Sequence, residues 1–272
     1  LTAATAGVRR RLDAVDRGWP EPLAVKVPHI GLWFWVVKLV STAMGEALSD
    51  LLDGGPSITP ALGVLAALVA FVLALRWQLR ARSYASRTYW FAVAMVATFG
   101  TMAADALHQA LGTPYWANAL FYAAILAVLF WRWHAFEGTL SIHSIDSRRR
   151  EAFYWGTVLA TFALGTAVGD MTATNLGLGY LASIVLFAAL LVLPAVGWRA
   201  GLGSVAMFWA AYVLTRPLGA SIADYLDVST RAGGAGLGKP AVTAVLVVVM
   251  VALVTTLSRT GRDVQSEPHY RR

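Results

Sequence analysis

The chain reads as an all-α polytopic membrane protein, with eight transmembrane helices built from four parallel two-helix repeats and both termini on one side. Three observations predict this. Its residues are 58% hydrophobic and only 14% charged, too few polar groups to cover a soluble protein of this length, and the mean hydropathy is +0.61. The apolar residues fall into eight runs long enough to cross a bilayer core of ~30 Å. One pattern recurs four times: Trp, nine residues, Gly, four residues, Asp.

The expected spans are 30–52, 58–79, 88–111, 115–134, 152–174, 176–197, 203–226 and 239–258. The runs are Ala- and Leu-rich and lack the alternation of a membrane barrel, so helices are expected. Residues 1–29 form a basic N-terminal segment with no apolar run suited to a signal peptide, so the first span serves as the insertion signal. Residues 30–134 make a first membrane half, 135–151 a connection, 152–258 a second half and 259–272 a tail. Short turns at Asp53-Gly54-Gly55-Pro56, Gly112-Thr113-Pro114 and Asn175-Leu176-Gly177 predict tight hairpins of spans 1–2, 3–4 and 5–6. The 7–8 turn, with Gly233, Gly234, Gly236 and Gly238, is expected to be longer and looser.

Charge orients the chain. Of 22 Lys and Arg residues, 18 lie on one side: the N-terminus, the 2–3, 4–5 and 6–7 connections, and the tail. The opposite side has Arg231 and Lys239, while Lys38 and Arg216 lie within spans. The basic side is therefore expected in the cytoplasm, with both termini inside. The net charge of +7 sits in these connections, and with no nucleic-acid motif it does not predict a nucleic-acid partner. The absence of cysteine removes disulfides and thiolate chemistry.

The repeat carries the functional expectation. Its copies are Trp35, Gly45, Asp50; Trp90, Gly100, Asp105; Trp155, Gly165, Asp170; and Trp209, Gly219, Asp224. With one hairpin per repeat, the motif helices run in the same direction. The Trp residues, early in each helix beside other aromatics, are expected in an interfacial aromatic belt. Each Gly is followed four residues later by Ser49, Ala104, Gly169 or Ala223, the small-xxx-small spacing of closely packed membrane helices. A carboxylate inside a span is costly and faces a cavity, a partner or an ion path. A straight helix would place the Asp ~20 Å beyond the Trp, and unwinding near the Gly would leave it deeper.

The copies differ. Only the first has Glu46 after its Gly, where the others have Thr101, Thr166 and Ala220, and only it has Lys38. Only the fourth has Arg216, followed by Pro217. Lys38 with Glu46, and Arg216 with Asp224, are two turns apart on one helix face, a spacing for charge-compensating pairs within each helix. Five acids against two bases leave an excess of negative charge that protons or cations must offset. Glu46, Asp50, Asp105, Asp170 and Asp224 are therefore expected to line a cation site. Thr42, His108, Met44, Met102 and Met171 are further ligand candidates, with oxygen donors favouring hard divalent ions and thioethers softer metals.

The expected function is transport of a small cation, a manganese-like divalent metal ion exported in exchange for protons. The alternatives are a proton or monovalent-cation channel and a structural or assembly protein of the membrane. No enzyme is expected, since there is no paired-His metal motif and no Gly-x-Ser-x-Gly. A retinal protein would need a buried Lys in a late span. No cofactor is required; the partners are lipid, the cation and protons, with oligomerisation left open.

The segment Lys38-Leu-Val-Ser-Thr-Ala-Met-Gly-Glu-Ala-Leu-Ser-Asp50 and the later Gly-x4-Asp copies resemble a bacterial family of integral membrane repeat proteins of unknown function, described as membrane-anchored. The resemblance implies a multi-pass protein of the bacterial inner membrane and assigns no activity. The apolar Gly and Asp repeats are also similar in style to bacterial manganese exporters.

Overall fold

The structure is a computed structural model and describes residues 25–54 and 60–265. It has eight long helices among the described residues: α1 (Leu32–Gly54), α2 (Pro60–Arg80), α3 (Ser86–Leu111), α4 (Tyr115–Glu137), α5 (Arg148–Asp170), α6 (Gly179–Arg199), α7 (Ser204–Asp227) and α8 (Lys239–Thr260). No strand occurs among the described residues. Seven helices are long and apolar enough to cross a membrane. The eighth, α1, carries Lys38, Glu46, Asp50 and Asp53 within its 23 residues.

The motif helices α1, α3, α5 and α7 form an inner ring in which each packs on the next and α7 packs on α1. The second helix of each hairpin lies outside. Half or more of α3, α5 and α7 is buried (61, 67 and 50%), against about a fifth of α2, α4, α6 and α8 (22, 22, 17 and 22%). Apolar side chains on the outer helices, such as Leu73, Trp131, Val185 and Val248, remain exposed, as on helices that face lipid.

The hairpins expected from the short turns are hairpins of connectivity more than of packing. α2 packs chiefly on α3, α4 on α5 and α6 on α7, while α8 returns to α1. Each outer helix thus covers the inner helix of the following repeat, and the last closes on the first. The ring has no seam between residues 30–134 and 152–258, since α3 packs on α5 across that division.

Glycine permits this closeness. A Cβ built on Gly45 would collide with Ala97, on Gly100 with Phe162, on Gly165 with Arg216 and on Gly219 with Thr42. In every case the neighbour lies three residues before the glycine of the next motif helix, so one contact repeats around the ring. The backbone stays helical through all four glycines and through Pro217, and the expected unwinding does not occur. Helical bonding departs from the α pattern just beyond Asp170, where Met171–Asn175 is a π turn.

The 7–8 turn is not loose. Ala235, Leu237 and Gly238 donate backbone N–H groups to the carbonyls of Tyr225, Leu226 and Asp227 at 2.6, 3.0 and 3.3 Å. A Cβ on Gly234 would strike the Val228 carbonyl, so the chain can fold back there only without a side chain. The turn at Asp53-Gly54-Gly55-Pro56 lies partly outside the described residues.

Candidate functional site

Reading the motif helices in steps of four residues gives five layers of four side chains, ~6 Å apart. Such a step follows the i±4 ridge along which helices commonly pack. The layers are Phe34, Tyr89, Tyr154, Phe208; Lys38, Val93, Val158, Tyr212; Thr42, Ala97, Phe162, Arg216; Glu46, Thr101, Thr166, Ala220; and Asp50, Asp105, Asp170, Asp224. The second, third and fourth layers are buried throughout, with no residue more than 4% exposed. The four aspartates are half-buried. The ring is therefore closed through its middle and polar at one end.

The fourth layer is a cross-helix network. Arg216 Nη2 donates to Glu46 Oε2 at 2.5 Å, to Thr166 Oγ1 at 2.6 Å and to Thr101 Oγ1. Thr101 Oγ1 also donates to Glu46 Oε2 at 3.3 Å. Glu46, Thr101 and Thr166 occupy one repeat position, and Arg216 reaches up from the layer beneath. The guanidinium Nε and Nη1 are buried without a hydrogen-bond partner among the described residues.

The bases do not pair within their own helices. Arg216 of the fourth repeat pairs with Glu46 of the first, across the closure of the ring. Lys38 makes no ion pair among the described residues. Its Nζ lies 4.2 Å from the ring centres of both Phe162 and Tyr212. Phe162 is shared with Arg216, whose guanidinium carbon is 5.4 Å from the same ring. Spacing along a helix pointed to intrahelical pairs because sequence does not show that repeats one and four are neighbours.

One turn beyond Glu46, the aspartates crown the ring. Asp105 is within electrostatic reach of Glu46, Asp170 and Asp50, and Asp224 of Glu46, Asp50 and Asp170. Asp105 also opens on a side pocket of about 320 Å³, with Asp53, Met102 and Gln109 in its lining. No three His, Cys, Asp or Glu side chains among the described residues stand close enough to hold a metal ion.

Of the secondary candidates, Met102 shares the pocket lining with Asp105. His108 Nδ1 is hydrogen-bonded to the Thr113 carbonyl at 2.6 Å and its ring stacks on Tyr115. Met44 and Met102 are buried, and Met171 begins the π turn. Thr42 Oγ1 bonds the carbonyls of Leu39 and Thr215 at 2.6 and 3.3 Å and faces Gly219.

The motif tryptophans do not form an interfacial belt. Trp90, Trp155 and Trp209 are 0, 4 and 4% exposed and pack with Phe34, Tyr89, Tyr154 and Tyr212 into an aromatic floor. Only Trp35 is partly exposed among the four. Trp209 Nε1 donates to the Leu140 carbonyl at 2.9 Å, which satisfies the indole inside the protein.

Two buried polar clusters below this floor went unnoticed in the sequence. Asp263, expected in a tail, is 1% exposed and accepts from the Tyr84 hydroxyl, Ser86 Oγ at 2.9 Å and Trp90 Nε1 at 3.4 Å. Burial, reinforced by the Asp263 carboxylate, pushes the Tyr84 phenol well above its ordinary range and keeps it a donor. Lys26 Nζ pairs with Glu151 Oε2 at 2.6 Å, both 1% exposed. Gln78 Nε2 donates to the other Glu151 oxygen at 3.4 Å. Apart from Trp90, the residues of both clusters lie outside the repeated motif, so periodicity gave no sign of them.

An all-helical ring of four repeats, most of its helices of membrane-spanning character, defines the class. The chain belongs to the family described as "Repeat of Unknown Function (DUF347)", which it matches over residues 33–84, 88–139, 153–200 and 207–263. No curated protein and no solved structure matches it.

Proposed function

We propose that this protein is a carrier for a small cation, a manganese-like divalent metal ion exported in exchange for protons, in the bacterial plasma membrane. Both termini lie in the cytoplasm, and the aspartate layer faces the outside. The basic asymmetry of the connections supports that orientation.

The observation that carries the reading is the placement of four equivalent half-buried aspartates in one layer above Glu46, at one end of a closed ring. Carboxylates within electrostatic reach of one another repel, and a cation or protons relieve the repulsion. Oxygen ligands suit a hard divalent ion that keeps part of its water shell. Three buried layers beneath the site favour a carrier over an open channel. Arg216 occupies Glu46. An arriving cation competes for that carboxylate, and the released guanidinium reports occupancy to the layers below.

Mn²⁺ flux into proteoliposomes tests the proposal. Asp50→Asn, Asp105→Asn, Asp170→Asn and Glu46→Gln are each expected to lower flux at least ~10-fold, the scale of one lost charge-assisted interaction, the three aspartate variants without lowering yield. If all four variants transport like the parent, the acids are structural and the reading fails.

A further inference from the structure

We infer that Lys38 is a proton-exchanging residue of the carrier, releasing its proton when a cation takes Glu46 from Arg216. The inference rests on the carrier reading and assigns the proton coupling to a specific group.

The closed part of the ring holds two bases and one acid. Glu46 is 2.5 Å from Arg216, leaving no carboxylate for Lys38. The charge that bears on Lys38 among the described residues is Arg216, which is of like sign and shares the face of Phe162. Around it α3 contributes Val93, α5 contributes Val158 and Phe162, and α7 contributes Tyr212 and Arg216. The titratable groups on these elements nearest its layer are Tyr89, Tyr154 and Tyr212, with Glu46 two turns away on its own helix. Cation–π contacts with Phe162 and Tyr212 hold an ammonium here, but they do not supply a counter-charge.

Of the two bases only one can give up its proton. A guanidinium stays charged in proteins, whereas a buried ammonium on a flexible stem exchanges readily. While the Arg216–Glu46 pair is intact, part of the Arg216 charge is offset, and in that arrangement Lys38 carries its proton. When a cation binds Glu46, Arg216 becomes an uncompensated charge beside the same aromatic ring. The Lys38 N–H bond then breaks, the electron pair stays on nitrogen and the proton passes to solvent water on the floor side. Hydroxyl groups lie on the floor side: that of Tyr212, and those of Tyr89 and Tyr154, which bond one another. Return of Arg216 to Glu46, after the cation departs, restores the proton.

The test counts protons released as Mn²⁺ is added to the purified full-length protein in weak buffer, with bound Mn²⁺ measured in parallel. The parent is expected to release protons on binding. Lys38→Arg, which keeps the charge without an exchangeable proton, and Lys38→Met, which keeps the length without the charge, should each release about one proton fewer per bound ion. Their release should also lose one titrating step in its pH profile. Lys38→Met decides alone if the arginine does not fit the site. The same proton count in the variants as in the parent overturns the role of Lys38 and leaves the carrier reading intact. A parent that binds no Mn²⁺ overturns both.

Discussion

Two sets of layers in the same ring follow opposite rules. The glycine contacts and the aspartate crown use one residue type in all four repeats, and each glycine meets the next motif helix at the same position. The layers between them are unequal: Lys38 and Glu46 come from the first repeat, Arg216 from the fourth, and threonine, alanine, valine or aromatics fill the rest. Repetition therefore builds the ring and its mouth, while departures from repetition supply its internal charge. The departures fall in the first and last repeats, which the closure of the ring makes adjacent. Arg216 can reach Glu46 for that reason alone.

The comparison breaks most violently at a repeated position. Gly165→Leu would drive a side chain into Arg216 and Pro217, where even a Cβ finds no room. A cost above ~4 kcal/mol is expected, seen as loss of monodisperse protein in size-exclusion chromatography. Next comes an unequal position. Arg216→Met leaves Glu46 buried and unpaired, and a loss of about 3–5 kcal/mol is expected. Thermal unfolding of Arg216→Met, Glu46→Leu and the double variant separates the terms, because the double variant should recover much of the loss. An additive double variant would show that the pair contributes nothing across the closure.

A smaller effect is expected at the aromatic floor. Trp90→Phe removes the indole donor to Asp263 and part of a fully buried ring, for about 1–3 kcal/mol in the same unfolding assay. An interfacial tryptophan would have tolerated the change. The smallest is His108→Ala, which loses a local bond and a stacking contact outside the ring. About 1 kcal/mol or less is expected, with Mn²⁺ flux unaltered; a loss of flux would return His108 to the cation site.

Much of the architecture was legible in the sequence. Apolar run length placed all eight helices to within a few residues, because span length is fixed by hydrophobic thickness. The spacing of Trp, Gly and Asp showed the register. What remained hidden was lateral order. Spacing along one helix relates Lys38 to Glu46 but carries no information that α7 lies beside α1. Composition likewise cannot separate a tryptophan at a lipid interface from one beneath a ring, and Trp90 and Trp209 are of the second kind. Asp263 and Glu151 lay near the ends of apolar runs, where acids are ordinary; only the fold shows them buried.

The return of α8 to α1 has a consequence for how such a protein can evolve and be rebuilt. An open array of repeats gains or loses copies at its ends and needs polar caps there. Here every repeat lends its outer helix to the next and none is terminal, so the copy number is locked by geometry. The described chain ends also meet: His29 N–H donates to the Asp263 carbonyl at 2.8 Å, and Gln265 Nε2 donates to the Val27 carbonyl at 3.1 Å. Joining those segments and cutting the chain between any other two repeats would leave the set of neighbours unchanged. The described helices form a closed band in which the order of neighbours does not depend on where the chain is cut.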